Sequence, residues 1–328
     1  MSILSISQLT SSYPATNLER NKWVLERRPE RETLDPLKPY LFFVEQESSA
    51  SGEVLPVATI FLTNRECPWR CVMCDLWRNT LTTSVSPGAI PAQMDFALSQ
   101  LPVAHVLKLY NSGSFFDSRA IPVEDHAAIA VRAGNFERLI VENHPALVND
   151  HCLRFRDRLK CRLEIAMGLE TVHPDILAKL NKRMTLDQFS TAAAFLHAHN
   201  IDLRVFILVQ PPFMQPDDAV FWAQRSVDFA FDCGATVVTL IPTRGGNGAM
   251  EALSANQQFS PPRLETLEAS FSYGLRLNRG RVFADLWDAE NISSCPVCRI
   301  RRISRLRQMN LSQINLAPAR CQSCDPAN

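Results

Sequence analysis

Residues 57–74 read VATIFLTNRECPWRCVMC. Val57 to Thr63 is an apolar, β-rich run of strand length, and three cysteines follow it on the polar stretch that leaves the strand. Similar runs recur at Val106 to Asn111, Leu139 to Glu142, Leu163 to Leu169, Leu203 to Val209 and Thr236 to Ile241, which predicts six strands. Amphipathic stretches separate them. Thr185 and Gln188 form a capping box for a helix with Leu186, Phe189, Ala193 and Leu196 on one face, stopped at Asn200. A second helix starts near Pro216 and ends at Cys233-Gly234, and a third spans Pro262 to Leu277. Repeated β-α units place the chain in the α/β class, as an open doubly wound sheet or a partly closed barrel. Both architectures put active sites at the carboxyl ends of strands. Asn64 to Cys74, Asn111 to Phe116, Asn143-His144 and Thr171 to His173 fall there.

Composition narrows the classes of function. With 34 basic against 34 acidic side chains in 328 residues, no uniformly basic nucleic-acid coat is present. The longest apolar runs are strand-sized, so no membrane anchor is expected. Met1-Ser2-Ile3-Leu4-Ser5 lacks the pattern of a secretory signal, and the expected location is the cytoplasm. Ten cysteines there do not read as a disulfide framework. Cys152, Cys161 and Cys233 stand alone and read as plain buried thiols. The expected organisation is an N-terminal extension over 1–50, a core over 51–288 and a four-cysteine module over 289–328. In the extension, Arg20, Lys22, Arg27, Arg28 and Arg31 alternate with Glu19, Glu26 and Glu30, as in a solvated helix laced with ion pairs or a substrate-contacting arm. Glu45 to Gly52 (EQESSASG) reads as a flexible link.

Cys67, Cys71 and Cys74 on one loop can bind a polynuclear iron–sulfur cluster and leave one iron open for catalysis. A zinc site completed by a remote His or Cys, or three unrelated thiols, are the alternatives. In this context C-x3-C-x2-C, followed by β-α units, resembles the radical S-adenosylmethionine (SAM) enzymes. The resemblance implies a partial (β/α)6 TIM-type barrel and a 4Fe-4S cluster whose open iron is chelated by SAM. Cleavage of SAM then gives a 5′-deoxyadenosyl radical, with the electron coming from a donor such as flavodoxin or ferredoxin. It also implies cofactor contacts. Met73 falls near the adenine, where the family usually has an aromatic residue. Ser112, Gly113 and Ser114 fall where backbone carbonyls hold the SAM amino group. Glu170 falls where the branch containing the Elongator catalytic subunit and the tRNA methylthiotransferases reaches the ribose or carboxylate, with a buried ion-pair partner as the alternative, and Pro242 falls where backbone surrounds the adenine.

Within the superfamily, KLYNSGSFFD (108–117), VENHP (141–145), IAMGLET (165–171), FILVQPPF (206–213) and VFADLW (282–287) resemble the radical SAM subunit of archaeosine synthases and its uncharacterised relatives. That resemblance implies carbon–nitrogen bond cleavage on a tRNA nucleoside and a transglycosylase-like partner. Where those relatives carry Glu-Ser-Arg-Pro, this chain has Glu142-Asn143-His144-Pro145.

Cys295 and Cys298, with Cys321 and Cys324, make two knuckles that supply a closed site for zinc or for an auxiliary iron–sulfur cluster. Between and beside them lie Arg299, Arg301, Arg302, Arg305, Arg307 and Arg320, with no acidic residue from Asn291 to Cys324. Such a module suits phosphate contacts; a cationic face packed on the barrel is the alternative. The functional expectation is a radical SAM reaction on a tRNA nucleoside. The rivals are a radical SAM reaction on a small metabolite and a non-catalytic zinc and nucleic-acid binding module.

Overall fold

The computed structural model describes residues 12–293 and 295–324; the Met1 to Ser5 opening lies outside the described residues. One sheet organises the molecule. Its strands are β1 (Leu41–Ser48), β2 (Val54–Phe61), β3 (Val106–Tyr110), β4 (Arg138–Glu142), β5 (Arg162–Glu170), β6 (Asp202–Val209), β7 (Val237–Pro242) and β8 (Arg281–Ala284), in spatial order 1 to 8. β1 is antiparallel to β2, and every later neighbour is parallel. The helices are α1 (Asn17–Leu25), α2 (Ala89–Leu98), α3 (His126–Ala133), α4 (Asp150–Arg156), α5 (Pro174–Lys179), α6 (Leu186–Ala198), α7 (Ala219–Asp232), α8 (Ala249–Ala255), α9 (Leu264–Leu277) and α10 (Arg299–Ser312). Among the described residues no helix is long and apolar enough to cross a membrane.

The six parallel strands predicted from sequence are β2 to β7. The Thr185–Gln188 capping box forms as expected at the start of α6. Two strands escape the sequence reading, and the Glu45 to Gly52 link is overturned. Glu45 to Ser48 belongs to β1, and only the turn at residues 49–53 connects it to β2. The reason lies in register. Glu45 and Glu47 share the inner face with Lys108, Glu164 and Arg204, and charge there replaces the usual apolar alternation. Lys108 Nζ bonds Glu45 at 2.8 Å and Glu47 at 2.6 Å, while Arg204 bonds Glu47 at 2.5 Å and Glu164 at 2.6 Å. This buried ionic floor plugs the amino end of the barrel. Loss of one partner in such a network costs about 3–5 kcal/mol, because the other charge is stranded.

The sheet curls without closing. Arg281 spans the gap from β8 to the Ser48 carbonyl at 2.9 Å, and α10 packs over both β1 and β8. The unpaired edge of β8 is satisfied by side-chain amides. Gln313 bonds the N–H (2.8 Å) and C=O (2.9 Å) of Val282, and Asn310 bonds both groups of Ala284 at 2.9 Å each. An exposed strand edge is thus covered by the C-terminal helix and its cap.

In the N-terminal extension a largely exposed helix forms, with Lys22 paired to Glu26 as expected, but it does not account for the whole basic run. α1 ends at Leu25, its Trp23 and Val24 are buried, and the basic residues that follow turn inward. The Arg27 guanidinium lies 3.9 Å from the centroid of the Trp23 ring, and Arg28 and Arg31 reach Glu66.

Candidate functional site

The loop from Asn64 to Cys74 leaves β2 at the carboxyl end of the barrel, and its conformation is held from three sides. Glu66 takes the guanidinium groups of Arg28 (2.8 Å), Arg31 (2.6 Å) and Arg70 (3.1 Å). Asn181 Nδ2 donates to the Arg70 carbonyl at 2.7 Å, and Asn247 Nδ2 donates to the carbonyls of Val72 (2.8 Å) and Cys74 (3.0 Å). Trp69 stacks on His144 with ring centroids 3.8 Å apart. Cys67, Cys71 and Cys74 are each half-buried, and their charges act on one another. Burial pushes each thiol up to about 12. For Cys71 the Lys182 ammonium is the foremost influence in the opposite direction. Three soft donors on one braced loop fit a cluster that keeps one iron free of protein.

The surrounding polar groups are placed by strand ends. Glu142, at the end of β4, accepts the backbone N–H of Asn111 at 2.9 Å and of Ser112 at 3.1 Å, and Gly113 adds a third. Burial nonetheless pushes its carboxyl up to about 7. The loop it grips is strained, with Ser112 at φ +53°, and tight: a Cβ on Gly113 would sit 3.3 Å from Cys67 Cβ. Ser112 Oγ shares a hydrogen bond with Tyr40 at 3.0 Å, while Ser114 Oγ accepts the His144 N–H at 3.0 Å. The fully buried Asn111 amide has no protein partner on either atom.

Glu170 ends β5 at φ +67°, after an irregularity in the β5–β6 register, and pairs with Lys182 Nζ at 2.5 Å. Gly168 makes this possible, since a Cβ there would collide with both partners. Burial alone would lower the Lys182 ammonium, but Glu170 and the nearby thiols hold it above the ordinary lysine value. His144 is held neutral, pushed down to about 3 by burial and by Lys182; its Nε2–H donates to the Lys182 carbonyl at 3.1 Å and its Nδ1 accepts from Ala146. Met73 is half-buried against an apolar cluster that contains Val72, Leu180 and Met250, with Leu208 and Phe213 also packed on it. Pro242 is buried at the carboxyl end of β7.

Sequence reasoning missed Lys182, Asn181, Asn247 and the grip of Glu142 on the Asn111–Gly113 backbone. The one local signal was the glycine-rich run Arg244-Gly245-Gly246-Asn247-Gly248 after β7.

The second cysteine group sits apart, at the base of α10. Sγ of Cys295 and Cys321 are 3.9 Å apart, those of Cys298 and Cys324 are 3.6 Å apart, and all four lie within 4.8 Å of one another. Ligands 2.3 Å from one tetrahedral zinc would be about 3.8 Å from each other. The donor set therefore fits a single ion, whereas a cubane holds each ligand on a separate iron and spreads them further. Not all the nearby arginines stay free. Arg302 pairs with Glu265 and Glu268 of α9, and Arg305 donates to the Leu316 carbonyl at 2.6 Å. Arg301, Arg307 and Arg320 remain exposed.

No family model matches the chain. It is similar to an uncharacterised protein of Methanocaldococcus jannaschii, 23% identical over 250 residues that cover 71% of this chain and 68% of the relative. It is similar also to archaeosine synthase subunit beta of Methanosarcina acetivorans, 27% identical over 230 residues. That match spans 65% of each chain, slightly under two thirds of the relative's length. Among solved structures, Elp3 of Methanocaldococcus infernus matches with a TM-score of 0.51 at 14% identity, over 73% of this chain and 63% of that one. The curled parallel sheet is thus the fold of Elp3, and the chain, with C-x3-C-x2-C on the loop after its first parallel strand, is similar in sequence to archaeosine synthase subunit beta.

Proposed function

We propose that the chain is a radical SAM enzyme whose cluster is ligated by Cys67, Cys71 and Cys74 and whose substrate is a nucleoside in tRNA. One observation carries the chemistry: three thiols on a braced loop stand beside the Lys182–Glu170 pair and the loop that Glu142 grips. When bound, the cluster and SAM supply a one-electron cleavage of the sulfonium that starts hydrogen abstraction from the substrate. The protein's part is to hold geometry and exclude water. Glu142 fixes the Asn111–Gly113 backbone so that its carbonyls are free to meet an ammonium group. Lys182 places a positive charge where a carboxylate would lie. Asn181 and Asn247 keep the cysteine loop from relaxing while the lumen beneath holds substrate. In the tail, Cys295, Cys298, Cys321 and Cys324 hold one structural zinc ion.

The tRNA assignment rests on the resemblance to archaeosine synthase subunit beta and on the exposed Arg301, Arg307 and Arg320. A second reading, a small-metabolite substrate, draws support from Arg302 and Arg305, which are engaged with α9 and with the Leu316 carbonyl. Mass spectrometry of tRNA nucleosides from a strain lacking the protein separates the two. Loss or gain of one modified nucleoside supports tRNA; an unchanged profile, with tRNA binding insensitive to salt, contradicts it.

A further inference from the structure

The cysteine loop is covered nearly everywhere: by Arg28 and Arg31 on Glu66, by Asn181 and Asn247 on its backbone, and by His144 against Trp69. From Asn64 to Cys74 the single exposed residue is Pro68, next to Cys67. Pro68 forms part of the wall of a cleft of about 430 Å³ whose other lining residues are Arg65, Glu66, Arg70, Thr82 and Arg119. The chain as a whole is neutral, yet charge here is lopsided. Glu66 already serves Arg28, Arg31 and Arg70, Arg119 shares Asp117, and Arg65 has no ion-pair partner among the described residues. Three guanidinium groups, Arg65, Arg70 and Arg119, thus line the cleft with one carboxylate, Glu66.

We infer that this arginine-lined cleft is the docking site for an acidic electron-donor protein, which reduces the cluster through the uncovered flank of Cys67. The inference rests on the cluster assigned above. One electron leaves the donor, which is oxidised by one electron, and enters the cluster, which is reduced by one; no bond or proton changes place. SAM and substrate would occupy the barrel lumen, so the electron would arrive from outside the loop, and Pro68 marks where a partner can come nearest. Redox partners meet through small interfaces in which complementary charge sets the encounter rate. A basic rim beside the ligand loop supplies that complement. An RNA phosphate would use the same charge but has no need of proximity to Cys67.

The test uses the reconstituted full chain and flavodoxin as the acidic probe, with binding followed by its flavin fluorescence and cluster reduction followed by absorbance. Arg65→Glu and Arg119→Glu, both outside the folded core, are each expected to weaken flavodoxin binding and slow flavodoxin-driven reduction about tenfold, with wild-type binding falling steeply as salt rises. Reduction by dithionite stays unchanged in both variants. Unaltered flavodoxin affinity overturns the inference. So does a loss of tRNA affinity in its place, or a shift confined to the cluster's potential, which would reduce the arginines to charge compensation. Flavodoxin binding to the metal-free chain is measured alongside, so that failure to form a cluster is distinguished from failure to dock.

Discussion

The molecule carries two cysteine sites, and they differ in what is left unfilled. At the barrel mouth three thiols stand on one loop, half-buried and braced by residues from distant parts of the chain, and a cluster held there keeps one iron without a protein ligand. At the base of α10 four sulfurs close within 4.8 Å around the position of one ion. Openness goes with chemistry, closure with architecture. The second site anchors the helix whose Asn310 and Gln313 cover the edge of β8. The tail therefore completes the barrel on which the first site is built.

The contrast can be broken by substitution. Cys71→Ala should abolish 5′-deoxyadenosine formation under anaerobic conditions with dithionite and SAM, as read by chromatography; product at wild-type levels would remove Cys71 from the ligand set. Cys298→Ala should leave SAM cleavage within about twofold while costing on the order of 3 kcal/mol, about 5 °C or more of thermal midpoint, with zinc content falling in parallel. If cleavage stops outright, the tail is redox-active and the contrast fails.

Glu142→Gln should weaken SAM binding by about tenfold to a hundredfold in equilibrium dialysis, through the loss of charge-assisted bonds worth about 1.5–3 kcal/mol. The same residue has a pH signature. Its folded value lies above its ordinary 4.5, so its contribution to stability is complete below that value and is lost as pH rises through about 7. Wild type should lose thermal stability relative to Glu142→Gln between about pH 5 and pH 8, while its affinity for SAM rises. Equal pH profiles would show that the carboxyl is not buried in solution. The smallest effect belongs to Asn310→Ala, which strands one N–H and one C=O of β8 and should cost about 1–2 kcal/mol in urea unfolding, without altering the SAM affinity.

How much of this was legible follows from distance along the chain. The C-x3-C-x2-C loop, the four-cysteine spacing and the Thr185–Gln188 box are local patterns, and sequence displays them directly. β1 looked like a link because Glu45 and Glu47 read as solvated, and only the folded register brings Lys108 and Arg204 to them from 63 and 157 residues away. β8 is four residues long and owes its edge to α10. Lys182 follows a short helix in an ordinary-looking run, and nothing nearby announces Glu170 as its partner. The tail arginines show the converse: composition displayed their charge but not that Glu265 and Glu268 of α9 would consume part of it.

The central claim is that the three-thiol loop holds a cluster with a vacant iron that SAM fills. The most direct test is the EPR spectrum of the anaerobically reconstituted, dithionite-reduced protein before and after SAM is added. The account predicts a four-iron signal that shifts on SAM addition, survives in Cys298→Ala and disappears in Cys71→Ala. A signal indifferent to SAM, or one that vanishes with Cys298 and persists without Cys71, would contradict it.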